Sequence, residues 1–337
     1  MSEVYRKILS KLMDGSDLDI NESAQLCEMM FDGSLSEVQV GAALAALRAK
    51  GERSSEIAGF ATAMKRHAIK VNAEAELDTA GTGGDGSMTF NASTAASLLL
   101  AGKLKILKHG NRAVSSSSGS ADFLEALGYN IRIGPETAAR LLNNTGFAFI
   151  FAQMYHPAMK AVASVRKQLA IRTIFNMLGP LTNPGTVSHR VIGVFSQDIM
   201  YEMAEAAIML GIKSAALVHG EPGIDEVSPI GRTKMLLIED GKIKETEVVA
   251  EDMGIRGIKM RDIIVSSSAE SARRYINALR GNDSPVLKFT LANAAVALLI
   301  ARRVKTVREG AEEAQRAVDD AERRLKSITE SSWVSTT

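Results

Sequence analysis

Between residues 77 and 122 the chain carries two glycine-rich segments whose residue types suit the binding of an anion. The first reads Asp78-Thr79-Ala80-Gly81-Thr82-Gly83-Gly84-Asp85-Gly86, and the second runs from Lys108-His109-Gly110-Asn111-Arg112 to Ser118-Gly119-Ser120-Ala121-Asp122. Glycines let backbone amides approach a ligand without side-chain interference, and the first amides of a following helix add partial positive charge. A phosphate is the natural guest. Ser87, Thr89, Asn91, Ser93 and Thr94 extend the first segment with more hydroxyl and amide groups than a plain turn requires. A solvated loop is the bland explanation. Against it stands the second segment, one βα unit later, where parallel topology places it beside the first at the carboxyl edge of a sheet. Two converging loops, one with Lys108 and Arg112, suit an extended ligand with more than one phosphate.

A third segment supplies acid. Asp225-Glu226 follows Val218-His219-Gly220 and a Pro222-Gly223 turn, again just beyond an expected strand. Adjacent acids are commonly surface charge, but hard oxygen ligands on such a loop, with substrate phosphates completing the shell, describe how magnesium is held. Arg166 shares a helical stretch with Lys160, Lys167 and Arg172, which a solvated basic face also explains. His109 and His156, taken singly, read as structural. Gly81, Gly83 and Gly86 formally satisfy G-x-G-x-x-G. The dinucleotide reading fails in detail: the next helix starts near Asn91, beyond the motif, and the second strand ends in Lys108-His109 instead of an acid. No Walker A and no G-x-S-x-G pattern occurs.

The elements that position these residues fall into two textures. Residues 4–68 read as successive helices: Ser36 and Gln39 form a capping box, Leu35 and Val40 a hydrophobic staple, Gly51 a C-cap, and Asn21 and Ser54 helix starts. Val40, Ala43, Leu44 and Leu47 make one apolar stripe, as in a four-helix bundle whose surplus apolar surface meets a second copy. Beyond Val71, apolar runs at 77–80, 105–108, 147–151, 190–195 and 215–219 alternate with helical patterns at 121–127, 136–143 and 201–210. That is the signature of βαβ units and a mainly parallel sheet flanked by helices. Residues 157–184 look helical and read as a second visit to the helical part. The expected division is a helical domain over 1–72, joined by about 165–188, and an α/β domain over 73–164 and 189–337. Asp240-Gly241 marks a hairpin between 235–238 and 243–249. Ser267/Glu270 and Thr306/Glu309 open later helices, 293–300 reads as buried helix, and 331–337 as a frayed tail.

At 337 residues with Lys+Arg 40 against Asp+Glu 39, the chain has a formal charge of +1 and no global field for nucleic acid or an anionic membrane. Its single cysteine, Cys27, excludes an internal disulfide and fits a reducing cytoplasm. No run approaches a membrane span, and the first residues lack the apolar core of a signal peptide.

At Gly-Thr-Gly-Gly-Asp (81–85), 91–94, Lys-His-Gly-Asn-Arg (108–112), Ser-Gly-Ser-Ala-Asp (118–122), Arg166, Asn183-Pro184 and Gly-Glu-Pro-Gly-Ile-Asp-Glu (220–226), the sequence resembles the anthranilate phosphoribosyltransferase family of tryptophan biosynthesis. The resemblance runs across essentially the whole chain. It implies a homodimer of subunits with a small helical domain and a larger α/β domain, and a site in the cleft between them. Phosphoribosyl pyrophosphate would be held by Gly81, Gly84, Asp85 and Thr89, by Asn91, Ala92, Ser93 and Thr94, and by the stretch Lys108, His109, Gly110, Asn111, Arg112, Ala113, Val114, Ser115 and Ser116, with Ser120. Magnesium (Mg2+) would be served by Ser93, Asp225 and Glu226. Anthranilate would meet Gly81, Asn111 and Arg166, with His109, His156, Gly179 and Pro180 along its path.

No general base is expected, because an aryl amine has a free lone pair at neutral pH. Ala92 stands where the family commonly has a larger aliphatic residue, and Ser117 where members differ. The alternatives sharing the fold are a pyrimidine nucleoside phosphorylase, which would need a nucleobase pocket in place of Arg166, and a non-catalytic nucleic-acid-binding relative. A net charge of +1 gives the latter no basic surface.

Overall fold

The computed structural model describes residues 3–113 and 118–334. Four helices come first: α1 Glu3–Met13, α2 Ile20–Phe31, α3 Glu37–Lys50 and α4 Ser54–Arg66. The expected capping box opens α3, with Gln39 N–H on the Ser36 hydroxyl and the Gln39 side chain on Ser36 N–H, and Gly51 closes it at a φ of 90°. Leu35 and Val40 are both buried. The start of α2 differs from expectation. Asp19, not Asn21, is the cap, and its carboxylate accepts from Asn21 and Glu22 N–H at 2.8 and 2.9 Å while Glu22 reaches back to Asp19 N–H.

The rest of the chain alternates. β1 Glu74–Gly81, α5 Ala92–Leu100, β2 Ile106–Gly110, α6 Ser120–Ala126, α7 Pro135–Thr145 and β3 Phe147–Phe151 form one half of the sheet. A helical passage follows: α8 Ala152–Tyr155, α9 Lys160–Leu169 and α10 Phe175–Leu178. The chain then returns to the sheet with β4 Thr186–Gly193, α11 Met200–Met209, β5 Ser214–Gly220, β6 Arg232–Glu239 and β7 Lys242–Val249. The last helices are α12 Ser268–Leu279, α13 Ser284–Ile300, α14 Val307–Arg316 and α15 Ala321–Ser331. The sheet order is β3-β2-β1-β4-β5-β6-β7. The first five strands in that order run parallel, and β6 and β7 form the antiparallel hairpin expected at Asp240-Gly241, whose φ values of 47° and 80° suit that tight turn.

Two cores lie on opposite faces of the sheet. Helices α5 to α7 and α12 to α15 cover one face. On the other face, α1 to α4 share a core with Val162, Val165, Ile174, Phe175 and Leu178 of the helical passage, with α11, and with Ile192, Leu217 and Leu236 of the strands. The hydroxyls of Ser267 and Thr306 cap α12 and α14, while Glu270 and Glu309 reach one residue further back, to Ser266 and Lys305 N–H. The expected frayed tail is anchored as far as it is described: Ser332 is buried and takes Asn130 N–H at 2.9 Å, and Trp333 Nε1 donates to Gly128 O at 2.8 Å. No single helix is long and apolar enough to cross a membrane among the described residues. Cys27 is free and buried.

Candidate active site

The strand order reverses direction between β1 and β4, the switch point where open parallel sheets leave a crevice beyond their carboxyl ends. Gly81 and Gly193 end these strands directly opposite one another, and Thr82 N–H donates to Gly193 O at 2.9 Å. The acidic loop enters here. A Cβ on Gly193 would stand 1.7 Å from Asp225 O, one on Gly81 2.5 Å from Asp225 Oδ2, and one on Gly220 2.5 Å from Glu226 O. Three strand-end glycines therefore make the space the acid pair occupies. Gly81 was among the residues expected in the site; Gly193 and Gly220 were not.

Three loops meet at this point. Gly83 N–H donates to Asp225 Oδ2 at 2.7 Å, Asp225 N–H to Asp85 Oδ2 at 3.3 Å, and Ser93 N–H, at the start of α5, to Glu226 Oε1 at 3.0 Å. Asn91 ties the first loop to the second, donating to Ser118 O at 2.9 Å and accepting from the Ser118 hydroxyl at 2.8 Å and the Ser271 hydroxyl at 2.9 Å. The convergence expected from topology is thus made by direct bonds. Positive φ at Gly83, Gly84, Gly86 and Met88 bends the first loop back on itself, with Thr89 and Ser87 hydroxyls 3.0 Å apart. Thr94 is buried at the start of α5 beside Ala92. Carboxylates of the third loop thus hold the amide of Ser93, a residue expected to meet the anion, and that of Gly83 in the same glycine-rich segment.

That acid is not neutralised locally. Burial first, then the neighbouring Asp85 and Glu226 carboxylates, raise the Asp225 carboxyl well above its ordinary range, and burial raises Glu226 against the pull of Ser93 N–H and Lys108. Lys108 is the nearest compensating charge. It is fully buried, its ammonium donates to the Thr79 carbonyl and to Thr79 Oγ1, and burial lowers its proton affinity. It lies beneath the site instead of reaching into it. Among the described residues no three His, Cys, Asp or Glu side chains are arranged to hold a metal alone. Two crowded, hard-oxygen carboxylates fit a magnesium ion that takes its remaining ligands from water and phosphate.

The second loop is braced from within. Asp122 accepts from Ala113 N–H at 2.9 Å and Gly119 N–H at 3.1 Å, pinning both ends of the 114–117 segment. Arg112, expected as a phosphate cation, is committed to Asp122 and Glu125 at 2.7 Å each and lies over Phe151. Two carboxylates therefore already share its charge. Gly110 must lack a side chain because Ser120 Oγ would stand 2.2 Å from its Cβ, and that hydroxyl donates to Asn111 O at 3.2 Å. The Asn111 side-chain oxygen accepts from Arg112 N–H and from Gln153. Val114, Ser115 and Ser116 lie outside the described residues, as does Ser117.

The residues expected along the second substrate's path also gather. His109 is buried at the end of β2, its Nδ1 2.9 Å from Gly179 O, and its ring centroid is 5.0 Å from that of His156. Pro180 is buried next to Gly179. Burial holds His109 below its ordinary value and pushes His156 down to about 3, with His109 as the second cause. Both rings are neutral. His109 Nε2 and both ring nitrogens of His156 lack a partner in hydrogen-bonding geometry among the described residues, although the Met64 and Thr182 backbone favours charge on His156. Arg166, on α9, lies 5.5 Å from the centroid of the Phe175 ring, four residues before Gly179, and has no carboxylate partner among the described residues. A half-buried guanidinium stacked on an aromatic ring and left without an acid is suited to a planar carboxylate.

Comparison with known proteins agrees along the whole chain. Residues 6–68 match the helical bundle domain of a glycosyl transferase family, and residues 73–322 match that family's a/b domain. The anthranilate phosphoribosyltransferase of Saccharolobus solfataricus is 49% identical over 322 residues, covering 96% of this chain and 93% of the relative. That of Caldivirga maquilingensis is 48% identical, covering 91% of each. The crystal structure of anthranilate phosphoribosyltransferase from Thermus thermophilus superposes with a TM-score of 0.90 at 34% identity, covering 97% of this chain and 99% of that one. The Saccharomyces cerevisiae enzyme in complex with PRPP and Mg gives 0.88 at 30% identity, covering 98% of both chains.

Proposed function

This chain belongs to the anthranilate phosphoribosyltransferase family, and from that membership we propose how its own residues divide the reaction. The enzyme transfers the 5-phosphoribosyl group of phosphoribosyl pyrophosphate to the amine of anthranilate, giving N-(5-phosphoribosyl)anthranilate and pyrophosphate. The observation that carries this reading is the junction at the β1/β4 switch, where the amides of Gly83 and Ser93 and the acids Asp225 and Glu226 meet in space left by Gly81 and Gly193.

Displacing pyrophosphate from the anomeric carbon builds positive charge on the sugar and negative charge on the leaving group, so the principal task is electrostatic. Asp225, Glu226 and the Ser93 hydroxyl would hold magnesium, which when bound would supply charge neutralisation for the pyrophosphate. The loop from Gly81 to Thr94, with Asp85, Thr89 and Asn91, holds the phosphoribosyl group. Asn111 and Ser120 fix the second loop beside it, and Lys108 contributes its charge from below. Arg166 binds the anthranilate carboxylate with both arms of its fork, and Asn111 with Gly81 completes the approach of the amine to the sugar. The neutral His109 and His156, with Gly179 and Pro180, keep the aromatic ring in a dry channel. Holding the amine against the sugar is their contribution, since its lone pair needs no strong base.

The domain division is kept at 72/73, with 165–188 returning to the helical part, although the helical passage already joins the second core at Val162 and Val71 and Val187 belong to the first. α11 crosses that division, because its buried residues also pack against the bundle. A homodimer through the helical domain is supported by exposed apolar residues on α1 and α3, chiefly Val38 at 81% and Met13 at 72%. The single buried thiol agrees with a reducing cytoplasm as the site of action.

Mixing the protein with anthranilate and phosphoribosyl pyrophosphate tests the reaction directly. Magnesium-dependent loss of anthranilate fluorescence, with pyrophosphate released in step, is the expected result. No loss at high protein concentration, together with phosphorolysis of a pyrimidine nucleoside or a shift of nucleic acid on a gel, would replace the reading with one of its relatives.

A further inference from the structure

α13 is apolar almost throughout and buried along nearly its whole length, so a polar side chain within it needs an explanation. Thr290 has a local one, because its hydroxyl donates to Val286 O one turn back. Asn293 has a different one. Its Oδ1 accepts from Val227 N–H at 3.0 Å, and its Nδ2 donates to Val227 O at 3.2 Å and to Phe289 O at 3.1 Å. The side-chain amide therefore satisfies both polar groups of one backbone residue, as a neighbouring strand would. Val227 is the residue immediately after the Asp225-Glu226 pair.

On the other side of Val227, the buried Ser228 donates its hydroxyl to Glu221 O at 2.6 Å, and its N–H goes to Thr233 Oγ1 at 2.8 Å. The acidic loop is thus held at its base while its tip lies against Gly81 and Gly193. Removing Asn293 leaves Val227 N–H and C=O buried without partners, which an adjacent apolar residue cannot repair. The loop would shift to find water, and the acids would move with it.

We propose that Asn293 is a positioning residue for the magnesium-binding pair: it fixes the backbone of Val227 so that Asp225 and Glu226 present their carboxylates at the β1/β4 switch. This rests on the reading of the acid pair given above. Asn293 touches neither substrate nor metal and acts only through that backbone. Loss of such outer support costs about 10- to 100-fold in metal affinity where metal sites have been probed this way.

The test is Mn2+ binding, followed by its paramagnetic resonance signal in the presence of phosphoribosyl pyrophosphate, in the parent, Asn293→Ala and Thr290→Val. Asn293→Ala weakens Mn2+ binding tenfold or more and raises the magnesium concentration for half-maximal activity, with KM for anthranilate unchanged. Thr290→Val, which removes a buried hydrogen bond from the same helix three residues earlier, changes the melting temperature and leaves Mn2+ affinity within twofold. Asn293→Gln keeps an amide able to serve both Val227 N–H and Val227 O, and gives a smaller loss if the alanine variant does not fold. Parental Mn2+ affinity in a folded Asn293 variant, or an equal loss in Thr290→Val, overturns the positioning role alone. A parent that binds no Mn2+ overturns the metal reading of Asp225 and Glu226 and the role of Asn293 with it.

Discussion

The two ends of the active site are built on opposite electrostatic plans. At the β1/β4 switch, glycines remove side chains, backbone amides face carboxylates, and Asp85, Asp225 and Glu226 crowd negative charge that the buried Lys108 only partly offsets. At the other end, Arg166 of the helical passage has no acid among the described residues, and burial disfavours charge on two histidines. The first end is incomplete without a cation and an anion together. The second is suited to a flat molecule with one negative group. On the proposed assignment, one site would take two anionic substrates without confusing them, because the polyanion would be met through a cation and the monoanion by a guanidinium.

The contrast breaks most completely where the acidic loop enters. Gly193→Ala places a Cβ 1.7 Å from the Asp225 carbonyl, which a backbone cannot yield without moving the loop. Turnover should fall by a factor on the order of 100 or more, with overpacking costing about 1–3 kcal/mol in urea unfolding. Gly134→Ala, where a Cβ meets nothing within 4 Å, should change neither. The double variant Asp225→Asn, Glu226→Gln should lose magnesium-dependent turnover to a similar degree, yet melt no lower than the parent, since it relieves crowding among acids. A lower melting temperature in that variant would show the pair to be a structural element of the fold.

At the opposite end the expected effects are smaller. Arg166→Ala removes a charge-assisted pair worth about 1.5–3 kcal/mol, so KM for anthranilate should rise on the order of 10- to 100-fold in steady-state assays, with KM for phosphoribosyl pyrophosphate held. The histidine pair gives the smallest signal. Both rings bind protons less readily folded than unfolded, so their contribution to stability is full above about pH 6.5 and falls below it, for His156 down to about pH 3, by up to about 1.4 kcal/mol per pH unit for each ring. His156→Gln should flatten that slope when urea unfolding is compared at pH 7.5 and 5.5. An unchanged slope would mean that the rings are not held neutral in the folded protein.

Much of this arrangement was legible in local sequence, and what was not depended on distant partners. Alternating apolar runs gave the parallel strands, and Ser36 with Gln39 gave a helix start, because the partners lie within one turn. Asp19 and Asn21 are similar caps by type, but Glu22, three residues after Asp19, carried the capping-box spacing that marks the true start. Gly193 and Gly220 are needed for a loop that folds back across strand ends; Gly193 offered only the signal of a glycine inside a strand run, and Gly220 that of opening the 220–226 segment. Arg112 was legible as a cation of the second loop, but not its carboxylate partners Asp122 and Glu125, ten and thirteen residues on. Lys108 lies in a buried strand, so its charge acts through the floor of the site. Asn293 could have been noticed as an amide within an apolar helix, but its partner lies 66 residues away.

The division of labour between the two ends is tested most directly by measuring KM for each substrate, and the magnesium dependence of turnover, in Glu226→Gln and Arg166→Ala side by side. The account predicts that Glu226→Gln raises the magnesium requirement and KM for phosphoribosyl pyrophosphate while sparing anthranilate, and that Arg166→Ala does the reverse. If both variants shift both substrates alike, the two ends do not act separately, and the account is wrong at its centre.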